Sequence, residues 1–198
     1  VAFIALWAQE HSPKHEFRGV WVPTVYNNYY RELSVEQLKD TLVKQLDAYA
    51  NMGINTVIYQ VRPEGDALYA SSLEPWSRFL TGEQGVAPEE DFDPMAFLLQ
   101  ECHKRCMEFH AWINPYRANT NKKNKLSEDN RYYSNRYLYV SYGNQLLFNP
   151  GFPQNREHIV SVVKDIVSRY DIDALHMDDY FYPYPIHGLK FQDISTYK

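Results

Sequence analysis

Cysteine is scarce in this chain of 198 residues, and its two cysteines, Cys102 and Cys106, lie four residues apart in a helical pattern. A bridge at that spacing would strain the helix, and no cluster of His or Cys has the spacing of a zinc site. The sequence therefore predicts two free thiols, with no disulfide framework, no metal site and no cofactor.

An excess of positive charge and long apolar runs are missing as well. The 20 basic and 25 acidic residues give a formal net charge of −5, without a dominant basic patch, so nucleic acid is a poor partner. No apolar run approaches the ~18 residues of a transmembrane helix, and we expect no membrane span. No repeat or low-complexity linker divides the chain.

Aromatic residues, in contrast, are abundant, at 16% of the sequence with 17 Tyr and 4 Trp. Most of them must pack the core. Rings that carry a polar edge also suit the faces of sugars, so the composition is compatible with carbohydrate binding.

The first eight residues are apolar and uncharged, and a polar stretch follows over residues 9–14. This pattern is typical of the end of a signal peptide cleaved after Ala8, although Leu6 is less usual at its position before the cut. A short buried segment is the alternative. We expect residues 1–15 to be a signal-peptide remnant and leader, and the protein to be periplasmic, in the cell envelope or secreted.

Residues 16–198 show strands that alternate with helices, which predicts an α/β fold with a parallel sheet. Ser34 and Gln37 form a capping box at the first helix, and Asp93 and Pro94 open the second. The predicted strands are 17–22, 54–61, 109–113 and 172–178, and the predicted helices are 35–52, 94–107 and 155–169.

The loops after the second and third predicted strands are roughly 30 and 40 residues long, far above the usual two to six. Long loops at the carboxyl ends of the strands are typical of TIM-barrel enzymes, which keep their chemistry there. A whole (β/α)8 barrel needs about 250 residues. We therefore interpret residues 16–198 as the N-terminal half of such a barrel, with about the first four strand-helix units.

The segment over residues 172–185 is the most informative part of the chain. A short, mostly apolar run ends in Asp178 and Asp179, and an aromatic, proline-rich loop follows at once. Carboxylates directly after a buried strand are desolvated at a cost unless they have a task or a partner. Asp178 and Asp179 are therefore the candidate catalytic residues, with a purely structural role as the alternative.

Polar or aromatic side chains occur at the ends of all four predicted strands, where barrel enzymes assemble their active sites. Pairing of Arg62 with Glu64 or Asp66, and a core position for His110, are the structural alternatives. The candidate substrate-binding residues are Trp21, Gln60, Arg62, Asp66, His110, Asn114, Arg117, His176, Tyr180 and Tyr182.

Seven motifs follow one another along the chain: FRGVWV (17–22), QVRPEGDALY (60–69), EPWS (74–77), LTG (80–82), HAWINPYR (110–117), NPG (149–151) and DDYFYP (178–183). In this order they resemble the glycosyl hydrolase-like 10 family, a former domain of unknown function that includes predicted bacterial lipoproteins. The resemblance covers about residues 16–190 and implies a TIM-like barrel, glycoside hydrolysis and an envelope location, with or without an upstream lipid anchor. Some members are associated with the glycan strands of peptidoglycan.

The family is distantly similar to the α-amylase clan, in which an Asp at the end of the fourth strand attacks the anomeric carbon. Asp178 falls at that position, which implies a nucleophile. His176 stands where the clan usually has Arg, Ala174 where Gly is common, and Cys106 where the pattern usually has Gly.

Glycoside hydrolysis usually needs two carboxyl groups, and adjacent Asp178 and Asp179 cannot easily form the pair because successive strand side chains point to opposite faces. The resemblance places the proton donor on a fifth strand, which this chain lacks, so the chain alone is expected to be inactive. Fallback acids are Glu64, Asp66 and Glu74.

The sequence thus predicts part of a glycoside hydrolase that acts on an envelope or extracellular glycan. A non-catalytic carbohydrate-binding protein is one alternative, and a metal-assisted polysaccharide deacetylase that uses Asp178, Asp179 and a His is another. The sugar, the linkage, the stereochemical outcome and the oligomeric state stay open at this point.

Overall fold

The computed structural model describes residues 16–25, 27, 29–178 and 181–197. The predicted signal-peptide remnant and most of the leader, residues 1–15, lie outside these ranges. Within them, no helix is both long and apolar enough to cross a membrane.

The strands of the main sheet, β1, β2, β3 and β7, are separated along the chain by helices, as predicted. The helices are α1 Tyr29–Glu32, α2 Val35–Asn51, α3 Arg78–Thr81, α4 Pro94–Lys104 and α5 Pro153–Arg169. Short 3-10 turns lie at Glu89–Asp91 and Arg136–Leu138. The strands are β1 Gly19–Val22, β2 Thr56–Arg62, β3 Glu108–Ile113, β4 Arg117–Asn119, β5 Tyr139–Tyr142, β6 Gln145–Phe148 and β7 Ala174–Met177.

Local signals account for the starts of the three long helices. The Ser34 hydroxyl accepts from the backbone N–H of Gln37, whose side chain accepts from the backbone N–H of Ser34, which completes the predicted capping box of α2. Asp93 caps α4, and Pro94 occupies its first turn. Helix α5 begins at Pro153, two residues before its predicted start, because proline is also favoured in its first turn.

The main sheet has the order β1-β2-β3-β7, and every pairing in it is parallel. This confirms the predicted α/β fold with a parallel sheet. Since each new strand is added beside the preceding one of this sheet, the order never reverses, unlike in a doubly wound fold.

One face of the main sheet carries the core. Val57, Tyr59 and Val61 of β2, with Phe109 and Ala111 of β3, are buried and belong to the same apolar cluster as the inner residues of α2, α4 and α5. The helical residues in this cluster recur at the predicted 3.6-residue period. They are Val35, Leu38, Leu42, Leu46, Met95, Leu98, Leu99, Cys102, Val162 and Ile166.

The opposite face of the sheet curls inward. Trp21 on β1 and His176 on β7 lie on this face, and their ring centroids are 5.8 Å apart. Strands at opposite edges of a flat four-stranded sheet are about 14 Å apart at ~4.8 Å per interval. The contact therefore indicates a concave face, although Trp21 remains 62% exposed.

The long loop between β3 and α5 contains a second, antiparallel sheet of order β4-β6-β5, which the sequence did not predict. It has its own apolar cluster of Ala118, Leu126, Leu146 and Phe148. We refer to these three strands as the small sheet.

Both cysteines are free thiols, as predicted. Cys102 is buried on α4 and Cys106 is exposed just after the helix. Cys106 has a φ of 54°, a left-handed conformation that favours glycine.

Candidate functional site

A cavity of about 550 Å³ opens at the carboxyl end of the main sheet, beside Asp178. Its wall combines the end of β3, the small sheet and the segment after β7. The lining residues are Asn114, Arg117, Thr120, Tyr142, Asn144, Gln145, Leu147, Asp178, Phe181, Tyr182, Pro183, Tyr184 and Ile186. We call this space the Asp178 cavity.

The two long loops lie on the same side of the sheet as Asp178, as predicted. The loop after β3 supplies the small sheet to the cavity wall. The loop after β2 is hydrogen-bonded to the loop after β3. The Asn130 side-chain N–H donates to Gln84 Oε1 over 3.0 Å, and the Thr120 N–H donates to the Glu64 carboxylate.

Asp178 is partly buried directly after β7, where its position was predicted from the apolar run before it. Its Oδ1 atom is buried and has no hydrogen-bond partner among the described residues. A carboxylate oxygen that gives up water without gaining a donor is destabilising, and a ligand with a hydroxyl group would satisfy it.

Two more buried polar atoms lack partners beneath Asp178, on the concave face of the sheet. They are Nε1 of Trp112 and Nε2 of His176, again considering the described residues. The His176 ring lies 6.2 Å from that of Trp112, edge to face. His176 and Trp21 do not line the cavity; with Trp112 they form an aromatic floor next to it.

Arg117 is the basic residue of the cavity wall. Its backbone N–H donates to Asn114 Oδ1 over 2.9 Å, and its guanidinium makes one long bond, 3.4 Å, to the carbonyl of Pro63. No carboxylate of the described residues lies within ion-pair distance of it. Most of its donors are therefore available to a ligand.

Tyr182 lies at the rim of the Asp178 cavity, where a substrate-binding residue was expected. Its hydroxyl donates to Asp193 over 2.6 Å. Partial burial and this hydrogen bond raise the pKa of Tyr182 to about 12, so the phenol stays neutral at physiological pH. Asp179 and Tyr180, also predicted for the site, lie outside the described residues.

Three of the predicted substrate-binding residues that lie outside the cavity have their polar groups bound by the protein itself. Gln60 accepts the backbone N–H of Thr24 over 3.0 Å. Arg62 is fully buried and forms a bidentate pair with Glu74, at 2.6 Å and 2.5 Å. Asp66 is fully buried and accepts from the amide of Gln84. We therefore assign all three to the framework of the loops.

The partner of Arg62 is neither Glu64 nor Asp66, the two acids expected from its sequence neighbourhood. Glu74, twelve positions on, occupies that place, and Glu64 pairs with Arg78 at 2.8 Å. The third guanidinium nitrogen of Arg62, Nη1, donates to the carbonyl of Asn114. This buried pair thus holds the end of β3, from which Asn114 reaches the cavity.

The fallback acids Glu64, Asp66 and Glu74 are buried away from the cavity. Burial alone would raise the pKa of Glu74, but the Arg62 guanidinium and His158 outweigh it and lower the pKa to about 2. Burial, reinforced by the charge of Glu64, raises the pKa of Asp66 to about 7. Neither Glu74 nor Asp66 has solvent access for proton transfer to a glycan.

His110 faces the concave side, closer to the amino end of β3 than the cavity. Its Nε2 lies 3.0 Å from Glu108, and its ring packs 5.9 Å from that of Phe17. His110 therefore lies outside the cavity, and it is not part of the buried core cluster that the structural alternative expected either.

The sequence analysis missed the cavity residues of the small sheet, among them Tyr142 and Gln145. The signal was present: two short apolar runs flank Gly143 and Asn144, the typical pattern of a two-residue hairpin turn. Gly143 has a φ of 55°, which this turn requires.

No three His, Cys, Asp or Glu side chains come close enough to hold a metal within the part of the chain that the structure describes.

Sequence and structure comparisons relate the chain to known proteins. The sequence model of the glycosyl hydrolase-like 10 family, described as "Glycosyl hydrolase-like 10", matches residues 16–198. Glycosyl hydrolase YngK of Bacillus subtilis (strain 168) is 47% identical over 92% of this chain and 36% of its own length. Glycosyl hydrolase DigH of Escherichia coli (strain K12) is 35% identical over 91% of this chain and 45% of its own length. The chain therefore spans less than half the length of either relative.

Two solved glycosidase structures share the fold at low sequence identity. TtGalA, an alpha-galactosidase from Thermus thermophilus, aligns with a TM-score of 0.51 at 15% identity, over 83% of this chain and 31% of the other. The GH36 alpha-galactosidase AgaA from Geobacillus stearothermophilus aligns with a TM-score of 0.52 at 13% identity, over 82% of this chain and 21% of the other. At these identities the likeness concerns the fold alone.

Proposed function

Because the chain belongs to the glycosyl hydrolase-like 10 family, we propose that it supplies the catalytic carboxylate of a glycoside hydrolase. The observation that carries this proposal is the position of Asp178. It follows the last strand of a parallel sheet, lines a cavity of about 550 Å³ and keeps one buried oxygen without a partner among the described residues. Such a carboxylate can attack an anomeric carbon or stabilise an oxocarbenium ion.

The architecture that supports this role is a (β/α)8 barrel, of which the main sheet would form the first four strands. The sheet adds its strands in chain order, carries its helices on one face and curls toward the other. A barrel has these three properties, and its active site lies at the carboxyl ends of the strands. Asp178 is at that end.

Two carboxyl groups are needed for hydrolysis, and Asp178 is the acid that the described cavity wall provides. We assign the proton donor to a later strand of the complete protein, following the amylase-like pattern. Asp179 would orient Asp178 or hold a sugar hydroxyl.

The proposed substrate is an envelope or extracellular glycan, with peptidoglycan glycan strands as the first choice. This corresponds to a protein that is periplasmic, held in the cell envelope or secreted, with or without a lipid anchor. The wall of the cavity suits a sugar, since it combines aromatic rings with amides and hydroxyls that can bond to sugar hydroxyls.

The experiment that tests the proposal measures two products in parallel. Full-length protein is incubated with purified peptidoglycan and a panel of soluble glycans, with and without EDTA, and new reducing ends and free acetate are quantified. We expect reducing ends that form equally well in EDTA.

The other outcomes identify the alternatives. Acetate release that EDTA stops, without reducing ends, would support a metal-assisted deacetylase. Glycan binding without either product would support a non-catalytic carbohydrate-binding protein.

A further inference from the structure

A second cavity lies next to the Asp178 cavity and also measures about 550 Å³. Tyr182 lines both of them. The other residues that line this second cavity come from the start of α5, from the two positions shortly before it and from residues 195–197. They are Pro150, Gly151, Pro153, Arg156, Ser195, Thr196 and Tyr197. We call it the Arg156 cavity.

The ring of Tyr182 is held rigidly between the two cavities. Its hydroxyl is bonded to Asp193, and its ring packs against Phe191 with centroids 5.0 Å apart. Phe191 in turn packs 5.6 Å from Tyr142 of the small sheet. Tyr182 nevertheless remains 45% exposed. A fixed aromatic ring with an open face loses little entropy when a sugar packs on it.

The Arg156 cavity has the polar character that a glycan needs. No acid lines it among the described residues. Arg156 is anchored by bonds to the carbonyls of Pro150 and Gly151, at 2.8 Å and 3.0 Å, and forms no ion pair there. Its remaining donors, with the hydroxyl groups of Ser195 and Tyr197, can bond to sugar hydroxyls.

We propose that one glycan chain occupies both cavities at once and crosses the ring of Tyr182. Each cavity has the size that encloses one small ligand. A disaccharide in the Asp178 cavity therefore leaves the Arg156 cavity empty, and only a longer chain gains from both. The favoured substrate is accordingly a glycan longer than a disaccharide, whose added sugars occupy the Arg156 cavity. This inference depends on the proposed function, because it extends the same site.

The test is the dependence of affinity on chain length. A glycan array carrying each backbone in several lengths first selects the backbone that binds full-length protein. Isothermal titration calorimetry then measures its two-sugar and six-sugar oligomers in an Asp178→Asn background, so that the ligand is not consumed. We expect the six-sugar oligomer to bind at least about tenfold tighter, the gain from one well-packed aromatic contact.

Two substitutions should remove this gain. Arg156→Ala is expected to weaken binding of the six-sugar oligomer severalfold while changing the two-sugar affinity by less than twofold, because Arg156 lines the Arg156 cavity alone. Tyr182→Ala is expected to weaken both oligomers, and the six-sugar oligomer more, because Tyr182 lines both cavities. Matched controls are Tyr133→Ala, a tyrosine with the same 45% exposure outside both cavities, and Arg169→Ala, at the other end of α5. If Tyr182→Ala does not fold, Arg156→Ala carries the test.

Two results would overturn the inference and leave the proposed function intact. One is equal affinity for both oligomers in the parent protein. The other is an equal loss of affinity for both oligomers in the Arg156→Ala variant. An array on which no glycan binds would instead refute the proposed function, and the inference with it.

Discussion

At the scale of single residues, Arg62 shows how the loops are joined beneath the cavity. Its guanidinium binds Glu74 from the loop after β2 and the carbonyl of Asn114 at the end of β3. Glu74 also lies 2.9 Å from His158 on α5. A buried charge pair of this kind contributes little net stability but is costly to break, since the remaining charge is left without water or a partner.

Replacing Arg62 by Met should therefore lower the free energy of unfolding by about 3–5 kcal/mol. Denaturant titration of the full-length protein measures the change. The double variant Arg62→Met/Glu74→Leu should recover much of the loss, because it removes the orphaned carboxylate. Arg169→Met is the control, since its ion pair with Asp165 is partly exposed and should cost less than about 1 kcal/mol. Equal effects of Arg62→Met and Arg169→Met would contradict this role for Arg62.

Asp66 is a second buried ionisable residue, and its effect on the free energy of unfolding can be measured as a function of pH. Its pKa is about 7 in the folded protein and near the ordinary 3.8 in the unfolded chain. Between these values the folded state holds a proton that the unfolded state has lost, so stability falls as pH rises from about 4 to 7.

Asp66→Asn should abolish this part of the pH dependence. The free energy of unfolding of the variant, compared with that of the parent protein, should rise by on the order of 2–4 kcal/mol between pH 4 and pH 7. Unfolding titrations at a series of pH values measure the difference, with Asp40→Asn on the exposed face of α2 as the control. A constant difference at all pH values would show that Asp66 ionises normally.

At the scale of elements, the turn between α4 and β3 contains a local strain. Cys106 takes a left-handed conformation with a φ of 54°, which costs a non-glycine residue roughly 1–2 kcal/mol. Cys106→Gly should therefore raise the free energy of unfolding by about 0.5–1 kcal/mol, after the greater freedom of glycine in the unfolded chain is deducted. Cys106→Ala keeps the Cβ and should give no gain. A stability gain for Ala equal to that for Gly would exclude backbone strain as the cause.

The elements of the main sheet could be predicted from the sequence, because their signals are local. Periodic apolar faces, the cap at Ser34 and the proline at Pro94 are sufficient to locate α2 and α4. The position of Asp178 at the carboxyl end of the sheet could be predicted for the same reason, since it directly follows an apolar strand.

The small sheet and the partner of Arg62 could not be predicted as readily. The strands β4, β5 and β6 are three or four residues long, too short for a clear periodicity. Pairing of Arg62 with Glu74 depends on how a long loop folds back, which no local pattern encodes. Gln60 and Asp66 were assigned to the substrate for the same reason: strand-end position predicts proximity to the site but not which polar groups the loops consume.

At the scale of the whole molecule, the concave face of the main sheet is the feature that most constrains the architecture. Trp112 on β3, His176 on β7 and Asp178 directly after β7 each keep a buried polar atom without a partner among the described residues. In the proposed barrel this face points to the interior, below the carboxyl-end cavity. The same half of the molecule would thus provide the floor of the active site, its catalytic carboxylate and the rim residue Tyr182.

The central claim is that Asp178 is the catalytic carboxylate, and Asp178→Asn in the full-length protein tests it most directly. Asn keeps the shape of the side chain but cannot attack the anomeric carbon or stabilise its positive charge. We expect glycan hydrolysis to fall by several orders of magnitude, with unchanged folding and glycan binding. Asp171→Asn, an exposed acid before the same strand, is the control and should keep full activity.

The initial rate of reducing-end release by the parent protein and by the Asp178→Asn variant is the deciding measurement. Asp179→Asn, measured beside them, should cost less, in keeping with an orienting role. If Asp178→Asn kept more than about a tenth of the parent rate, a loss below ~1.4 kcal/mol of barrier, Asp178 would not be the catalytic carboxylate.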